Sequence, residues 1–464
     1  MGEKPAGSAL PDLEKDSPPR LIWRLALPAI VGLSANALYH TVNAMFLGRL
    51  GAEAVSAASA VFPILILLGA VGEGIAVGTA SLASRLLGAK DQEAANRAAT
   101  TGLALAVIAG IAVSLALSFH TGFVLRLFGV TESAFPLAQA YLRIALCGYT
   151  LLMLQIFGDF LAISEGNTRF SMWVLIAAFG INTVLDPLFI FVLGWGVTGA
   201  AAATLVAQAT AATIYLGYFV RGLGKLRIAP RFLAPGGGIL REIAAVGAPA
   251  TLASSFTALA FGLVYGTAAA YGDEAVAGIG IALRLYSLGA LPVFGFCLGA
   301  RPVLGFAWGA QDGARVSAAL RFMLAASFAA CAAYSLAILV FAPQILPLFT
   351  ADPGVIAVGI RAAYACFALF AFFGMHVVLV TYLQSTGQAL LAGIMLLAPQ
   401  GYFLMPGLLA LPPLWGLDGI LASQIVAAGL TALASALVLA RQFGALRRGL
   451  GGPSRALAGA PLAG

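Results

Sequence analysis

Long apolar runs separated by short polar stretches make up most of the chain. Twelve runs exceed the about 20 residues that an α-helix needs to cross the hydrocarbon core of a bilayer. They predict spanning helices at 20–47, 53–84, 95–119, 134–163, 168–194, 198–221, 240–271, 274–307, 314–342, 354–385, 388–412 and 415–443. The alternating segments typical of a membrane β-barrel are absent from the sequence. The pattern therefore predicts an all-α membrane protein with twelve transmembrane helices.

The two halves of this pattern repeat at an offset of 221 residues. The pairs that coincide include Pro28 and Pro249, Gly51 and Gly272, Gly88 and Gly309, Asp91 and Asp312, and Gly166 and Gly387. An offset shared by several helices indicates an internal repeat. Because six helices bring the chain back to its starting side, both halves cross the membrane in the same sense. The repeats are therefore expected to be parallel, with a substrate site between them.

Only residues 222–238 have the composition of a linker, because they are basic at first and then rich in proline and glycine. We therefore expect an N-lobe at 20–221 and a C-lobe at 239–445. Residues 1–19 and 446–464 are expected to be cytoplasmic tails. The first of these tails mixes both charge signs with prolines, which is unlike a secretory signal.

Charged residues make up 9% of the 464 residues, and the mean hydropathy is +0.98. Soluble domains carry about 25% charged residues, so a soluble protein is excluded. With both ends in the cytoplasm, 20 of the 25 Lys and Arg residues lie in or beside cytoplasmic segments. This bias predicts a multi-pass protein of the cell inner membrane with both termini inside. It also accounts for the net charge of +7 without a nucleic-acid partner.

Asp186 is the strongest candidate for chemistry among the acids inside the predicted spans. Asn182 lies four residues before it on the same helix face. Pro187 follows and has no N–H, so the carbonyl of Thr183 loses its helical partner. These oxygen donors suit a proton or a hard cation such as sodium. A carboxylate that hydrogen-bonds only for packing is the structural alternative.

Two other acids, Glu73 and Asp159, fall inside predicted spans, where a charge is costly and often functional. Glu73 is either buried against another helix or faces a water-filled cavity. Asp159 lies near the cytoplasmic end of its helix, where snorkelling or capping is equally compatible with its position. His40 and Asn43 share a face of the first helix, with Asn36 and Tyr39 one turn earlier. Aromatic residues such as Phe157 are candidates to line a cavity for flat cations.

Several segments together resemble the multidrug and toxic compound extrusion (MATE) transporters over about residues 20–445. These segments read MFLGRLGAEAVSAAS, SRLLGAKDQEAANR, SEGNTRF, INTVLDPLFIF, YGDEAVAGIGIALRLYSL and RPVLGFAWGAQDGARV. The resemblance implies two six-helix lobes around a V-shaped central cleft. It also implies export of amphipathic, often cationic compounds in exchange for a proton or sodium ion.

The fifth predicted helix resembles the DinF-type branch, which couples transport through an aspartate in the N-lobe. On that pattern, Asp186, Asn182 and Thr204 match the cation site, where sodium is one candidate ligand. Pro28 matches the proline at which the first helix bends, and Asn36 and Tyr39 match cavity positions. The family's aspartate in the first helix is replaced here by Asn43. Either Asp186 couples alone, or Glu73 or Asp159 compensates, or coupling is altered.

The resemblance implies small organic substrates, a monomer in the bilayer, and no cofactor beyond the coupling ion. An enzyme is not expected, because no paired carboxylates or His/Asp cluster are visible near one membrane face. The alternative function is a flippase or exporter of lipid-linked or saccharide substrates from the wider superfamily.

Overall fold

The computed structural model describes residues 13–14, 16–50, 52–127, 135–233 and 237–447. The first half contains α1 (Pro18–Gly48), α2 (Ala52–Gly88), α3 (Gln92–Ser118), α4 in two segments (Phe135–Cys147 and Tyr149–Ser164), α5 (Thr168–Pro187) with a π-helical turn at Leu188–Val192, and α6 (Gly196–Val220). The second half contains α7 (Gly237–Ala269), α8 (Asp273–Gly309), α9 (Gly313–Ile345), α10 in two segments (Pro353–Phe367 and Phe373–Ser385), α11 (Ala389–Leu397) with a π-helical turn at Ala398–Leu404, and α12 (Leu417–Arg447). Short helices at Thr121–Leu127, Met405–Ala410 and Pro412–Trp415 and 3-10 turns at Pro230–Phe232, Leu346–Leu348 and Phe370–Phe372 connect them.

The helices are long enough to account for most of the twelve predicted membrane crossings. In the described ranges, nine are sufficiently long and apolar, and the bent helices α4 and α10 raise the number to 11. Helix α1 has 31 residues, which exceeds the about 20 that a spanning helix requires. The predicted all-α architecture is therefore confirmed.

The internal repeat is visible in the backbone as well as in the sequence. Asp91 and Asp312 each cap a helix by accepting a hydrogen bond from the N–H three residues later, at 3.0 and 2.9 Å. The residues before them, Lys90 and Gln311, both have a positive φ, of 61° and 62°. The repeat also places a bend in α4 (53°) and in α10 (42°). Equivalent positions in the two halves thus fold in the same way.

Glycines let α2 and α8 approach each other closely at equivalent points. A Cβ atom on Gly88 would overlap the carbonyl oxygen of Phe306, and one on Gly309 would overlap that of Arg85. Small residues at helix interfaces permit this backbone contact in membrane proteins. Since the two contacts are related by the repeat offset, they lie around the pseudo-two-fold axis.

The first helix of each half begins in the core of the other half. The early α1 residues Leu21, Ile22 and Leu25 belong to the hydrophobic core of the second half. Ile239 and Ile243 of α7 pack correspondingly with Leu82 and Ala98 of the first half. The predicted lobes therefore exchange the first turns of their first helices.

The halves are packed tightly at the end of the bundle where α1 begins and α12 ends, here called the terminal face. On this side, Gly78 lies against the backbone of Ile243, and Gly299 lies against that of Ala26. The hydrogen bonds between the halves within the described ranges also lie here or near mid-helix. At Gly69, Gly262 and Gly266, farther from this face, a Cβ atom would meet open space.

Candidate functional site

Asp186, Asn182 and Thr204 come together between α5 and α6. Asp186 and Asn182 are both 0% exposed. With its amide nitrogen turned towards the carboxylate, Asn182 donates to Asp186 Oδ2 at 2.9 Å. Its carbonyl oxygen then accepts from the backbone N–H of Thr204 at 3.0 Å. This orientation satisfies both ends of the amide, which is how amide flips are assigned.

Two buried oxygens, one on α5 and one on α1, have no hydrogen-bond partner among the described residues. They are Asp186 Oδ1 and Asn43 Oδ1. Buried polar atoms are nearly always satisfied, so each exception requires an explanation. Helix α1, which carries Asn43, packs against α5 through the contact of Gly32 with Met172 and Leu175.

Pro187 interrupts regular hydrogen bonding directly after Asp186. The chain continues as the π-helical turn Leu188–Val192, where the N–H of Leu193 bonds to the carbonyl oxygen of Leu188. Turns of this type frequently occur at functional sites. The carboxylate oxygens of Asp186 fit a proton or a hard cation, and Asn182 presents its amide nitrogen to them in this orientation. In the described ranges, no group of three or more His, Cys, Asp and Glu residues could hold a metal ion.

A model of the MatE family matches residues 28–188 and 249–401, one segment in each half and more than half of the chain. The chain belongs to the MATE family of multidrug exporters. The multidrug export protein MepA of Staphylococcus aureus (strain N315) is 27% identical over 432 residues, covering 92% of this chain and 94% of MepA.

Solved MATE structures share the whole architecture of this MATE transporter. One, described as the outward-facing conformation of a multidrug resistance MATE family transporter, has a TM-score of 0.87 and 26% identity. Another, described as MATE in the bent conformation, has a TM-score of 0.89 and 26% identity. Each covers 94% of this chain and 98% of the solved chain. This MATE transporter therefore has the two-lobed fold with a central cleft.

Pro28 lies within α1. Leu25 before it and Ile30 after it both pack against the second half, and Gly32 contacts α5. The side chains of Asn36, Tyr39 and His40 lie outside the described part of the structure, so their assignment to the cavity stays a prediction.

The two auxiliary acids occupy different environments. Glu73 accepts a hydrogen bond from Ser254 across the two halves, with Oγ and Oε2 at 3.0 Å. Asp159 accepts hydrogen bonds from Ser171 and, at 3.0 Å, from Tyr215. Asp159 therefore links α4, α5 and α6 inside one lobe, whereas Glu73 lies between lobes. Their roles in transport stay predictions.

Phe157 does not line the cleft in this conformation. Its ring is 2% exposed and packs in the core of the first half against Gly102. Burial among apolar side chains leaves no face of the ring for a flat cation.

Three buried or half-buried charged residues are absent from the candidates that the sequence suggests. Glu165 is buried beneath the linker, Arg85 is buried between the halves, and Arg301 is half-buried there with its Nε and Nη1 atoms enclosed. Arg85 and Glu165 lie at helix ends, where a charge is normally solvated. The repeat offers no signal for them, because the matching positions in the other half are uncharged: Phe306, Ala80 and Thr386.

Proposed function

We propose that this MATE transporter exports amphipathic, often cationic organic compounds in exchange for a proton or a sodium ion. The observation that carries the proposal is the buried carboxylate of Asp186, which has one oxygen bound by Asn182 and the other without a described partner. A buried carboxylate in an apolar lobe requires a proton or a cation to offset its charge. We assign the further oxygens of the site to Thr204, whose backbone N–H donates to Asn182, and to Asn43 of α1.

In this mechanism, ion binding to Asp186 changes how α1 packs. Neutralising the carboxylate removes its demand for polar partners on α1 and α5. Helix α1 then repacks about Pro28, because this proline has no N–H and weakens the helix at that point. The movement expels the substrate from the cleft. Antiport requires only that the ion and the substrate favour different conformations.

We also propose that the terminal face is cytoplasmic, so that the conformation described here is outward-facing. The excess of Lys and Arg at this face supports the orientation. The close contacts of Gly78 and Gly299 between the halves then form the closed cytoplasmic side.

The test is export of a fluorescent organic cation from proteoliposomes under an imposed pH or sodium gradient. We expect Asp186→Asn to lose gradient-driven export, because the amide cannot gain or lose a proton at neutral pH and binds sodium weakly. Replacing the pH gradient by a sodium gradient distinguishes the two coupling ions.

The matched control is Asp312→Asn, since asparagine caps a helix about as well as aspartate and Asp312 lies at the terminal face. It should export at the wild-type rate. Wild-type export by Asp186→Asn would contradict the assignment of the coupling site.

A further inference from the structure

A small cavity separates the two halves on the terminal side of Glu73. Its volume is about 20 Å³, which is room for about one water molecule or one monatomic ion. Helices α2 and α4 contribute one wall, and α8 and α10 contribute the other. The polar lining consists of Ser81, Ser84, Ser164, Arg301, Gln384 and Ser385.

Unpaired hydrogen-bond donors are concentrated at this cavity. Arg301 donates from Nη2 to Gln384 Oε1 at 3.1 Å. Its Nε and Nη1 atoms are buried without a partner among the described residues, and so is the hydroxyl of Ser385. The ring of Phe160 covers the guanidinium, with its centroid 5.6 Å from Cζ. Two residues that line the cavity, Arg301 and Ser385, therefore carry three donors without an acceptor among the described residues.

The charge of Arg301 also lacks a direct counter-ion in the described part of the chain. The ion pairs found there do not include it. Glu73 is near enough to attract Arg301, but its carboxylate accepts its hydrogen bond from Ser254 on α7. A buried cation without a paired anion is costly, and a bound ion offsets that cost.

We propose that this cavity binds one monatomic monovalent anion, chloride in the cell, between Arg301 and Ser385. The size of the cavity favours a halide over a carboxylate or phosphate group. The site lies apart from Asp186 and does not depend on the coupling mechanism. Since both halves line it, separation of the halves at the terminal face dismantles it, and the bound anion stabilises the conformation described here.

The experiment measures thermal unfolding of the purified full chain in detergent as chloride replaces gluconate at constant ionic strength. We expect a saturable rise in Tm with chloride and with bromide, because an ion that binds only the folded state stabilises it. Arg301→Gln should lose the rise. The matched control Arg321→Gln, at an exposed position on α9, should keep it.

Two further variants test a hydrogen-bond donor to the proposed anion and the nearby negative charge. Ser385→Ala removes one donor to the anion and should weaken chloride binding about tenfold. Glu73→Gln removes a nearby negative charge and should tighten it. A cavity that holds only water predicts no response to chloride in any variant.

Bromide anomalous scattering from crystals gives a second readout, with a peak expected between Arg301 and Ser385. If Arg301→Gln fails to fold, the bromide peak and the chloride response of Ser385→Ala together test the proposal. Equal Tm values in chloride and gluconate, an unchanged chloride response in Arg301→Gln, or no bromide peak would overturn the proposal.

Discussion

Glu165 is an acid outside the membrane-spanning segments, and its side chain is 0% exposed. Its carboxylate accepts hydrogen bonds from the hydroxyl of Tyr218 and from the backbone N–H groups of Lys225 and Leu226, the latter two at 2.8 and 2.9 Å. Burial raises the pKa of Glu165, and these hydrogen bonds only partly oppose the shift. The carboxyl group fastens the start of the linker to the loop between α4 and α5.

A raised pKa makes Glu165 a source of pH-dependent stability. Its contribution is fully present below the usual glutamate pKa of about 4.3 and is lost as the pH rises through the higher pKa of the folded state. In Glu165→Gln, this part of the decline in Tm between about pH 4 and pH 8 should disappear. Thermal unfolding across that range measures it.

The control for this experiment is Glu93→Gln, because Glu93 is exposed and pairs with Arg97 on α3. It should keep the wild-type dependence of Tm on pH. An identical pH profile for wild type and Glu165→Gln would contradict the effect of burial.

The sequence identifies Asp186 and Asn182 because a charge and an amide four residues apart stand out on an apolar helix. It does not identify Arg301 or Glu165, because their burial depends on distant parts of the chain. Arg301 is enclosed by Phe160 of the other half, and Glu165 is enclosed when the linker folds back over it. Spacing along one helix cannot reveal such contacts.

At the scale of elements, the helix order and the repeat could be predicted, whereas the exchange of helix ends could not. Hydropathy locates the apolar runs but does not say which half receives Leu21 and Ile22. The bends of α4 and α10 also escaped prediction, because the apolar pattern is continuous across each break.

The paired contacts of α2 and α8 predict that Gly88 and Gly309 contribute equally to the free energy of unfolding. Gly88→Ala and Gly309→Ala should each lower the free energy of unfolding by about 1–3 kcal/mol, because the added methyl group overlaps a backbone carbonyl. Chemical unfolding in detergent compares the two variants.

Gly262→Ala is the matched substitution in a helix with open space beside it. It should be neutral or stabilise by up to about 1 kcal/mol, given the helix propensity of alanine. A large loss for one α2–α8 variant and none for the other would contradict a symmetric contact.

For the whole molecule, the ion pair between Arg85 and Glu242 joins the halves at the terminal face. Arg85 Nη2 lies 2.8 Å from Glu242 Oε2, and their side chains are 5% and 42% exposed. Because Arg85 is on α2 and Glu242 is on α7, the pair persists only while this face stays closed. The ion pair therefore favours the conformation in which the terminal face is closed.

We expect Glu242→Gln to shift the population towards an open terminal face. Spin labels placed at Ala89 and Ala310, which are exposed and related by the repeat, should report longer distances. The background replaces Cys147, the exposed cysteine. Glu93→Gln is the control, because the ion pair that it removes lies within one helix. Its distances should stay as in wild type. An equal shift in this control would contradict a specific role for Glu242.

The exchanged helix ends also bear on how the protein is made. Trp23 of α1 packs against Phe296 of α8, and a ribosome adding about 5–20 residues per second needs tens of seconds to reach that partner. During this delay the first turns of α1 must wait at the membrane without their final neighbours. Insertion of the nascent chain and completion of its core are thus separate events. The core is complete only after both halves have been inserted.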